Sequence, residues 1–501
     1  MTDRLTGRTI GVIGLGPMGQ GIALAMGLAG ARVMVMDNDA QLTTTLAAKI
    51  REDAAATGAQ IDLQEVDLAT LGGADLVIEA VVERMDVKLD LLARLAEVAS
   101  GTLIVASNTS SLSVGEMSKA FVDPSRVVGM HFFNPPTKMR LVEVIRSEAT
   151  SDATAAFAVE IVEALEKTPV MCVDSPNFIV NRVCRPLYFE AELLVTQGVE
   201  CAKVDTIARG ALGHRMGPLE LLDFTGLHTH LSSSETSLRE FGESRYRPIP
   251  FVRRLVRSGM TGKASGRGFY DYSKEAPREA RERVTQTASA PSGPFFVTGP
   301  GMSNWAGLGS PRVDQEIVIY SCPTFASKSD IERVRQYAES NHVVVDSSDG
   351  VWREALPANV GWIRMHKREG GPFAEVVVDD IAKIELTSAT DVVLASIGAS
   401  FVTVPALPGL VADRLQLCII NEATLVCEEG TASVHDIDMA LMLAMNHPRG
   451  PFEVFESIGA SNAFGGLQSL IRETGDARYR ATQWIRRRAA GEQRDAGEEQ
   501  A

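Results

Sequence analysis

One stretch of this chain occurs twice, and that repeat limits its architecture more than any other feature. Pro176-Asn-Phe-Ile-Val-Asn-Arg182 recurs as Pro408-Gly-Leu-Val-Ala-Asp-Arg414, Glu190-Ala191 as Glu422-Ala423 and Gly198 as Gly430, all at an offset of 232. From Asp205, matched by Asp438, the offset is 233: Gly217-Pro218 matches Gly450-Pro451, Gly226 matches Gly459, and Arg245-Tyr-Arg247 matches Arg478-Tyr-Arg480. The repeated segments have apolar residues at helical spacing, which predicts two copies of one helical domain. Each copy follows a region of α/β character, and 501 residues are more than one core usually holds.

The region before the first copy begins with a strand-and-helix alternation. Thr9 to Ile13 is a short apolar run ending at glycine, Gly19 to Leu28 has helical spacing, and Arg32 to Met36 is a second apolar run closed by Asp37. Strand, glycine-rich turn, helix and strand within ~30 residues form a βαβ unit. Further buried strands are expected at Ala74–Glu79, Thr102–Ala106 and Arg126–Met130. A parallel sheet covered on both faces accommodates them. Strands are expected again at Phe295–Thr298, Glu316–Tyr320, His342–Val345 and Val360–Met365. The expected class is therefore α/β. A Rossmann-type doubly wound sheet spans 1–174 and an all-α domain 175–285. A degenerate α/β region spans 286–395, a second all-α copy 396–487, and a flexible charged tail 488–501. The polar stretch 273–294 reads as a linker.

Gly14-Leu15-Gly16-Pro17-Met18-Gly19 fits the GxGxxG pattern. It follows a strand and opens a helix, the context in which that pattern binds a dinucleotide. Gly14 permits the tight turn, Gly16 lets backbone approach a pyrophosphate, and Gly19 lets helix and strand pack closely. The phosphates would sit at the helix N-terminus, where free N–H groups favour anions. Asp37 ends the second strand, and no arginine adjoins it. A carboxylate there bonds ribose hydroxyls and repels a 2′-phosphate, so NAD is expected over NADP. A second polar set comprises Ser107-Asn-Thr-Ser110-Ser111, His131-Phe-Phe-Asn134-Pro-Pro and Leu141-Val-Glu143-Val. The serines and His131 follow predicted strands, at the ends where open α/β sheets place ligands. A histidine oriented by a carboxylate is a sound general base near neutral pH.

Composition excludes other classes. Lys and Arg number 49 against 64 Asp and Glu, a formal net charge of −15. Sequence-independent nucleic-acid binding needs a basic surface instead. The six cysteines form no CxxC pair, and no metal site is expected. Scattered cysteines in a long chain point to a reducing compartment. No apolar run reaches the ~18 residues of a membrane helix, and the first residues lack the pattern of a signal peptide. A cytoplasmic protein without membrane or nucleic-acid partners is expected.

GLGPMGQGIA, ADLVIEAVVE, SNTSSL, HFFNPP, LVEVI, FIVNR, MGPLELLDFTGL and GRGFYDY follow one another through residues 8–272. In that order they resemble the L-3-hydroxyacyl-CoA dehydrogenases. INEA, ASVHDIDMALMLAMNHPRGPFE and RYR resemble the extra C-terminal domain of the long bacterial members, the 3-hydroxybutyryl-CoA and 3-hydroxyadipyl-CoA dehydrogenases. The resemblance implies NAD-dependent oxidation of a 3-hydroxyacyl-CoA, as in the degradation of fatty or aromatic acids. It implies that His131 takes the proton of the 3-hydroxyl, that Glu143 orients His131, and that Ser110 and Asn181 hold the reacting oxygen and the substrate. Glu83, Lys88, Ser110 and Asn134 match cofactor-contacting positions.

Three departures bear on substrate fit. The segment between Asp37 and Glu79 is shorter than in the family and keeps one helix, with Lys49 and Arg51 as its basic residues. Asn177 stands where glycine is usual, and His228 where aspartate is usual. In the second half Asp413 replaces the Asn181 equivalent, Asn304 stands where the third glycine after Gly299-Pro-Gly301 belongs, and no HFFNPP counterpart occurs between 296 and 400. That half is expected to be a structural duplicate, filling the place of a dimer partner inside one chain; a homodimer is the alternative. The short segment also admits a dehydrogenase of a small CoA-free hydroxy acid, as in the related L-gulonate dehydrogenases. A silent NAD-binding scaffold is disfavoured, because Ser110, His131, Glu143 and Asn181 occur together.

Overall fold

A computed structural model describes residues 4–273, 286–287 and 295–498, apart from 307, 309–316, 323–324, 351, 353–355, 368–370 and 380–384. The linker expected at 273–294 lies outside the described residues except for Ser273, Gln286 and Thr287. The chain divides into two compact units. One runs up to Arg182 and takes in Val426–Asn446; the other comprises Val183–Leu425 and the chain from His447 on.

The first unit is built on an eight-stranded sheet. Its strands are β1 (Thr9–Ile13), β2 (Arg32–Met36), β3 (Asp62–Glu65), β4 (Leu76–Glu79), β5 (Ile104–Ser107), β6 (Val127–Phe132), β7 (Leu141–Arg146) and β8 (Thr168–Val173). Their order is β3-β2-β1-β4-β5-β6-β7-β8. Every neighbouring pair is parallel except β6 with β7. The helices are α1 (Pro17–Leu28), α2 (Ala40–Ala56), α3 (Leu68–Leu71), α4 (Met85–Val98), α5 (Val114–Ser118) and α6 (Asp152–Ala164). LVIE of β4 and VVGMHF of β6 are buried at every position, as parallel strands covered on both faces must be. Ile10, Val12, Ile22, Met26, Val33, Val128, Val144 and Ile161 share one core. Gly14 turns the chain from β1 to α1 at φ +89°, and a Cβ on Gly19 would stand 1.8 Å from the Gly14 carbonyl oxygen. No larger residue fits either position without moving backbone.

The second unit holds a seven-stranded sheet. Its strands are β9 (Gln286–Thr287), β10 (Phe296–Thr298), β11 (Ile317–Ser321), β12 (His342–Asp346), β13 (Gly361–His366), β14 (Phe373–Val377) and β15 (Ser400–Val404), in the order β10-β11-β12-β13-β14-β15-β9. As in the first sheet, three parallel strands lead into an antiparallel pair, here β13 with β14, followed by a parallel one. Among the described residues nothing corresponds to β2 and β3. The helices of the first copy are α7 (Val180–Thr196), α8 (Cys201–Leu212), α9 (Pro218–Thr225), α10 (Leu227–Phe241) and α11 (Pro250–Arg257). After α12 (Lys328–Ala338) and α13 (Ser388–Ile397) come those of the second copy: α14 (Val411–Glu428), α15 (Val434–Met445), α16 (Pro451–Ile458), α17 (Ala460–Thr474) and α18 (Gln483–Glu498).

The two copies clasp each other through matched residues. Glu190 of the first accepts from Arg414 and Tyr479 of the second. Glu422 of the second accepts from Arg245 and Tyr246 of the first. Such reciprocity is the mark of an isologous two-fold interface. His214 and His447, one from each copy and 233 apart in sequence, stack with ring centroids 4.0 Å apart and planes 7° from parallel. The copies also send the same helix to a sheet: α8 lies against β14 and β15, and α15 against β7 and β8.

Besides the two-residue β9, which falls within the expected linker, four strands were not expected from the sequence. β3 is DLQE, an edge strand with one buried position. β8 is also an edge strand and contains Pro169, which an edge tolerates. β14 carries a buried Glu375, and β15 begins at a serine. The segment expected as a charged tail begins within a helix, for α18 runs from Gln483 to Glu498. Ile485 and Ala489 are buried, and Glu492 accepts from the Ala460 and Ser461 N–H groups at the start of α17. Those contacts tie the helix down past the point where composition alone predicts fraying.

Candidate active site

The antiparallel pairing of β6 and β7 sets His131 directly opposite Glu143. His131 Nδ1 lies 2.6 Å from Glu143 Oε2. The other carboxylate oxygen accepts from the Ile179 and Val180 N–H groups (3.2 and 2.8 Å), at the start of α7. Glu143 is fully buried, and the helix N-terminus supports its negative charge. With Glu143 accepting at Nδ1, the ring hydrogen sits there and Nε2 keeps its lone pair. The ring packs on Phe133, with centroids 4.5 Å apart, and lies 6.0 Å from Phe178. Asn177 and Phe178 have φ of +64° and +53°. Asparagine tolerates that left-handed region better than most residues, so Asn177 does the work of the glycine usual there. Its counterpart Gly409 has φ +74°.

Ser110 and Asn181 meet beside this pair, the Asn181 amide donating to the Ser110 carbonyl oxygen at 3.3 Å. Glu83 organises the serine turn. Its Oε1 accepts from Thr109 Oγ1, the Ser110 N–H and Ser110 Oγ at 2.8, 2.8 and 3.1 Å. Burial opposes the charge on Glu83, but Lys88 and these donors outweigh it and hold its pKa below the usual range. Lys88 is only 1% exposed. Its ammonium bonds Glu79 at 2.8 Å and stands 3.4 Å from Glu83, so it braces Glu83 from within the fold.

The glycine turn fits a dinucleotide. Gly16 is exposed with open space where a Cβ would stand, and α1 begins there with no side-chain cap on its N–H groups. Leu15 is buried, Pro17 exposed and Met18 half-buried. Asp37 Oδ2 accepts from the Leu15 N–H at 2.6 Å, which fixes the carboxylate beside the turn. Asn134 is exposed on the loop after β6. A Cβ on Gly21 of α1 would lie 2.8 Å from Pro136; the missing side chain lets that loop settle on α1.

Sequence reasoning passed over the supports of this site. Ser107 donates to the buried Glu79, and Asn108 Oδ1 accepts from the Phe132 N–H at 2.9 Å, pinning β6 beside the serine turn. Both stand in motifs already singled out, but nothing in the spacing separates them from their neighbours. The second copy also reaches this unit. Glu429, just after α14, lies 2.6 Å from Arg182 Nη2, and the Thr431 carbonyl accepts from the Val173 N–H at 3.0 Å.

The second sheet preserves the same scaffold with different chemistry. Arg364 pairs with Glu375 across β13 and β14 as His131 pairs with Glu143. Glu375 accepts from the Val411 and Ala412 N–H groups, and it stands 232 residues after Glu143. Asp346 Oδ1 accepts from the Met365 N–H as Asn108 does from Phe132. A counterpart of the histidine strand therefore exists between 296 and 400, which corrects the expectation that none occurs. The only residue type it shares with HFFNPP is His366, out of register with His131. Arg364 Nε donates to Asp413 Oδ2 at 2.7 Å. Arginine is always charged and cannot act as a base, so the pair closes the position where the first site holds a reactive histidine.

Residues 9–175 match the model of the 3-hydroxyacyl-CoA dehydrogenase NAD-binding domain. Residues 178–272 and 409–499 each match that of the C-terminal domain. A 3-hydroxyadipyl-CoA dehydrogenase of Escherichia coli is 31% identical over 96% of this chain and 97% of its own. A probable 3-hydroxybutyryl-CoA dehydrogenase of Deinococcus radiodurans is 39% identical over 52% of this chain and 99% of its own. The crystal structure of a 3-hydroxybutyryl-CoA dehydrogenase from Escherichia coli superposes with a TM-score of 0.78 at 29% identity, covering 96% of this chain and 98% of that one.

Proposed function

This chain belongs to the 3-hydroxyacyl-CoA dehydrogenase family, and from that premise we propose that it oxidises the 3-hydroxyl of a 3-hydroxyacyl-CoA to the 3-oxo ester with NAD. The observation that carries this is the His131–Glu143 pair, buried and hydrogen-bonded at 2.6 Å beside Ser110 and Asn181. His131 Nε2 takes the hydroxyl proton, and Glu143 stabilises the imidazolium that forms. Ser110 and Asn181 hold the substrate oxygen as its bond order to carbon rises. Bound NAD supplies the acceptor for the hydrogen that leaves C3 as hydride. Gly14, Leu15, Gly16, Pro17, Met18 and Gly19 would cradle its pyrophosphate, Asp37 would take the ribose, and Glu83, braced by Lys88, would serve the nicotinamide side with Ser110 and Asn134.

The interlocked copies support a chain that carries its own dimer partner and works as a monomer. Among the described residues no helix is long and apolar enough to cross a membrane. Six free cysteines suit a cytoplasmic setting. The test of the reaction is NAD reduction by the full chain against 3-hydroxyacyl-CoA esters and free hydroxy acids. Turnover of the esters is expected; turnover of the free acids alone would reject the acyl-CoA reading.

A further inference from the structure

The buried carboxylate of Glu79 has no part in the reaction above, yet it stands at the crevice where NAD is placed. Glu79 closes β4. Its backbone pairs on one side with Ile13, the last residue before the glycine turn, and on the other with Ser107, the first of the serine stretch. The strand order reverses between β1 and β4, and open α/β sheets bind ligands over that point, at the carboxyl ends of the strands. Glu79 takes the Lys88 ammonium with both oxygens, at 2.8 and 2.9 Å. It also accepts from Ser107 Oγ and, at 3.2 Å, from the Val81 N–H. The side chains of Glu79 and Lys88 are each 1% exposed. That of Glu83 is 37% exposed and stands 3.4 Å from the same ammonium. One cation thus meets two carboxylates. The closer, fully buried contact is with Glu79, and Lys88 offsets the charge of Glu83 only in part. Together the three groups carry one net negative charge. Arg84 and Asp86, the neighbouring charges on this segment, pair with each other and add nothing net.

We propose that Glu79 biases this site toward the oxidised cofactor, by engaging Lys88 so that Glu83 keeps an uncompensated charge on the nicotinamide side. The nicotinamide ring is positively charged in NAD and uncharged in NADH. A net negative charge beside it favours the oxidised form, as charges near a cofactor ring do in general. Without the charge of Glu79, Lys88 would neutralise Glu83 and the bias would be lost. Glu79 acts through Lys88 and Glu83 rather than by contact, so it is a positioning residue. The inference rests on the placement of NAD at the glycine turn.

Equilibrium binding to the full chain tests this. NADH is followed by its fluorescence, and NAD, benzamide adenine dinucleotide and ADP-ribose by displacing it. The benzamide analogue carries an uncharged ring in place of the nicotinamide, and ADP-ribose carries no ring there. Wild type is expected to bind NAD roughly tenfold more tightly than the benzamide analogue, the effect of one unit charge across a partly screened site. In Glu79→Gln the ratio of NAD to NADH affinity is expected to fall by a similar factor, with ADP-ribose affinity unchanged. Glu79→Asp keeps the charge and is expected to keep the ratio, even where the shorter side chain weakens both forms. A merely structural role moves both forms together and leaves the ratio alone. An unchanged ratio in folded Glu79→Gln overturns the proposal, as does an equal shift in Glu79→Asp. The benzamide comparison needs no variant. Equal wild-type affinity for NAD and the analogue therefore overturns the proposal even if Glu79→Gln fails to fold. Binding of every probe without the charge preference sinks this inference alone. Failure to bind NAD, NADH or ADP-ribose sinks it together with the NAD reading.

Discussion

His131 depends on its opposite number across two antiparallel strands, and that dependence sets what its loss should do. General-base catalysis contributes about 10²–10⁴-fold, so His131→Ala should lower turnover by that order. NAD, which we place at the glycine turn, should keep its affinity. Near-native turnover in the variant, with chemistry shown to be rate-limiting, would remove His131 from its role. Asp37 makes a second case. Its carboxylate is held beside the turn by the Leu15 N–H, where it would repel a 2′-phosphate. Turnover with NAD should exceed turnover with NADP at matched concentrations, and parity would contradict the assignment. Both residues were legible in the sequence because each follows a buried apolar run at a strand's carboxyl end. Lys88 was singled out only through the family resemblance: its burial against Glu79 depends on how α4 packs, which no local pattern reveals.

At the scale of elements, legibility followed burial. β1, β2, β4, β5 and β6 are apolar runs in the middle of a sheet, and their positions were clear within a few residues. β3 and β8 lie at its edges, where polar residues and proline are tolerated, and the pattern fades. The pair β13 and β14 shows a different limit. Its geometry survives while its residues have changed, and only the spacing of Glu375 from Glu143 betrays it. The Arg364–Asp413 bond now occupies that scaffold. Asp413→Ala removes the carboxylate that Arg364 Nε bonds and leaves the guanidinium buried, with Asp346 3.8 Å away, and breaking a buried pair from one side costs on the order of 3 kcal/mol. The variant should therefore melt earlier yet keep wild-type kinetics where it remains folded. A large drop in turnover from folded Asp413→Ala would show that the second half takes part in the chemistry.

The whole molecule turns one helical domain into its own partner, and two measurements probe that arrangement. Burial pushes the pKa of His447 down to about 4, and burial together with the stacked His447 ring pushes His214 well below its usual value. A depressed histidine contributes stability above its unfolded pKa of about 6.5, and that contribution is lost as pH falls toward 4. Asp205 and Asp349, raised to about 6 by burial, change stability in the opposite sense over the same range. The histidine effect is therefore read as a difference: the stability of wild type relative to His447→Gln should shrink by up to about 3 kcal/mol between pH 7 and pH 4. A constant difference would mean that the pair does not resist protonation. Truncation after about residue 290 tests the partnership directly. It strips Arg414 and Tyr479 from Glu190, and it uncovers the apolar surface that the second copy packs against. Exposed faces of that kind drive association. The first copy keeps Arg182, Glu190 and Tyr246, the same residues by which the second copy clasps it, so it is complementary to itself. The truncated chain should dimerise through that face or precipitate, while the full chain sediments as a monomer. A truncated chain that stays monomeric and as stable as the full one would show that the second copy is no partner at all.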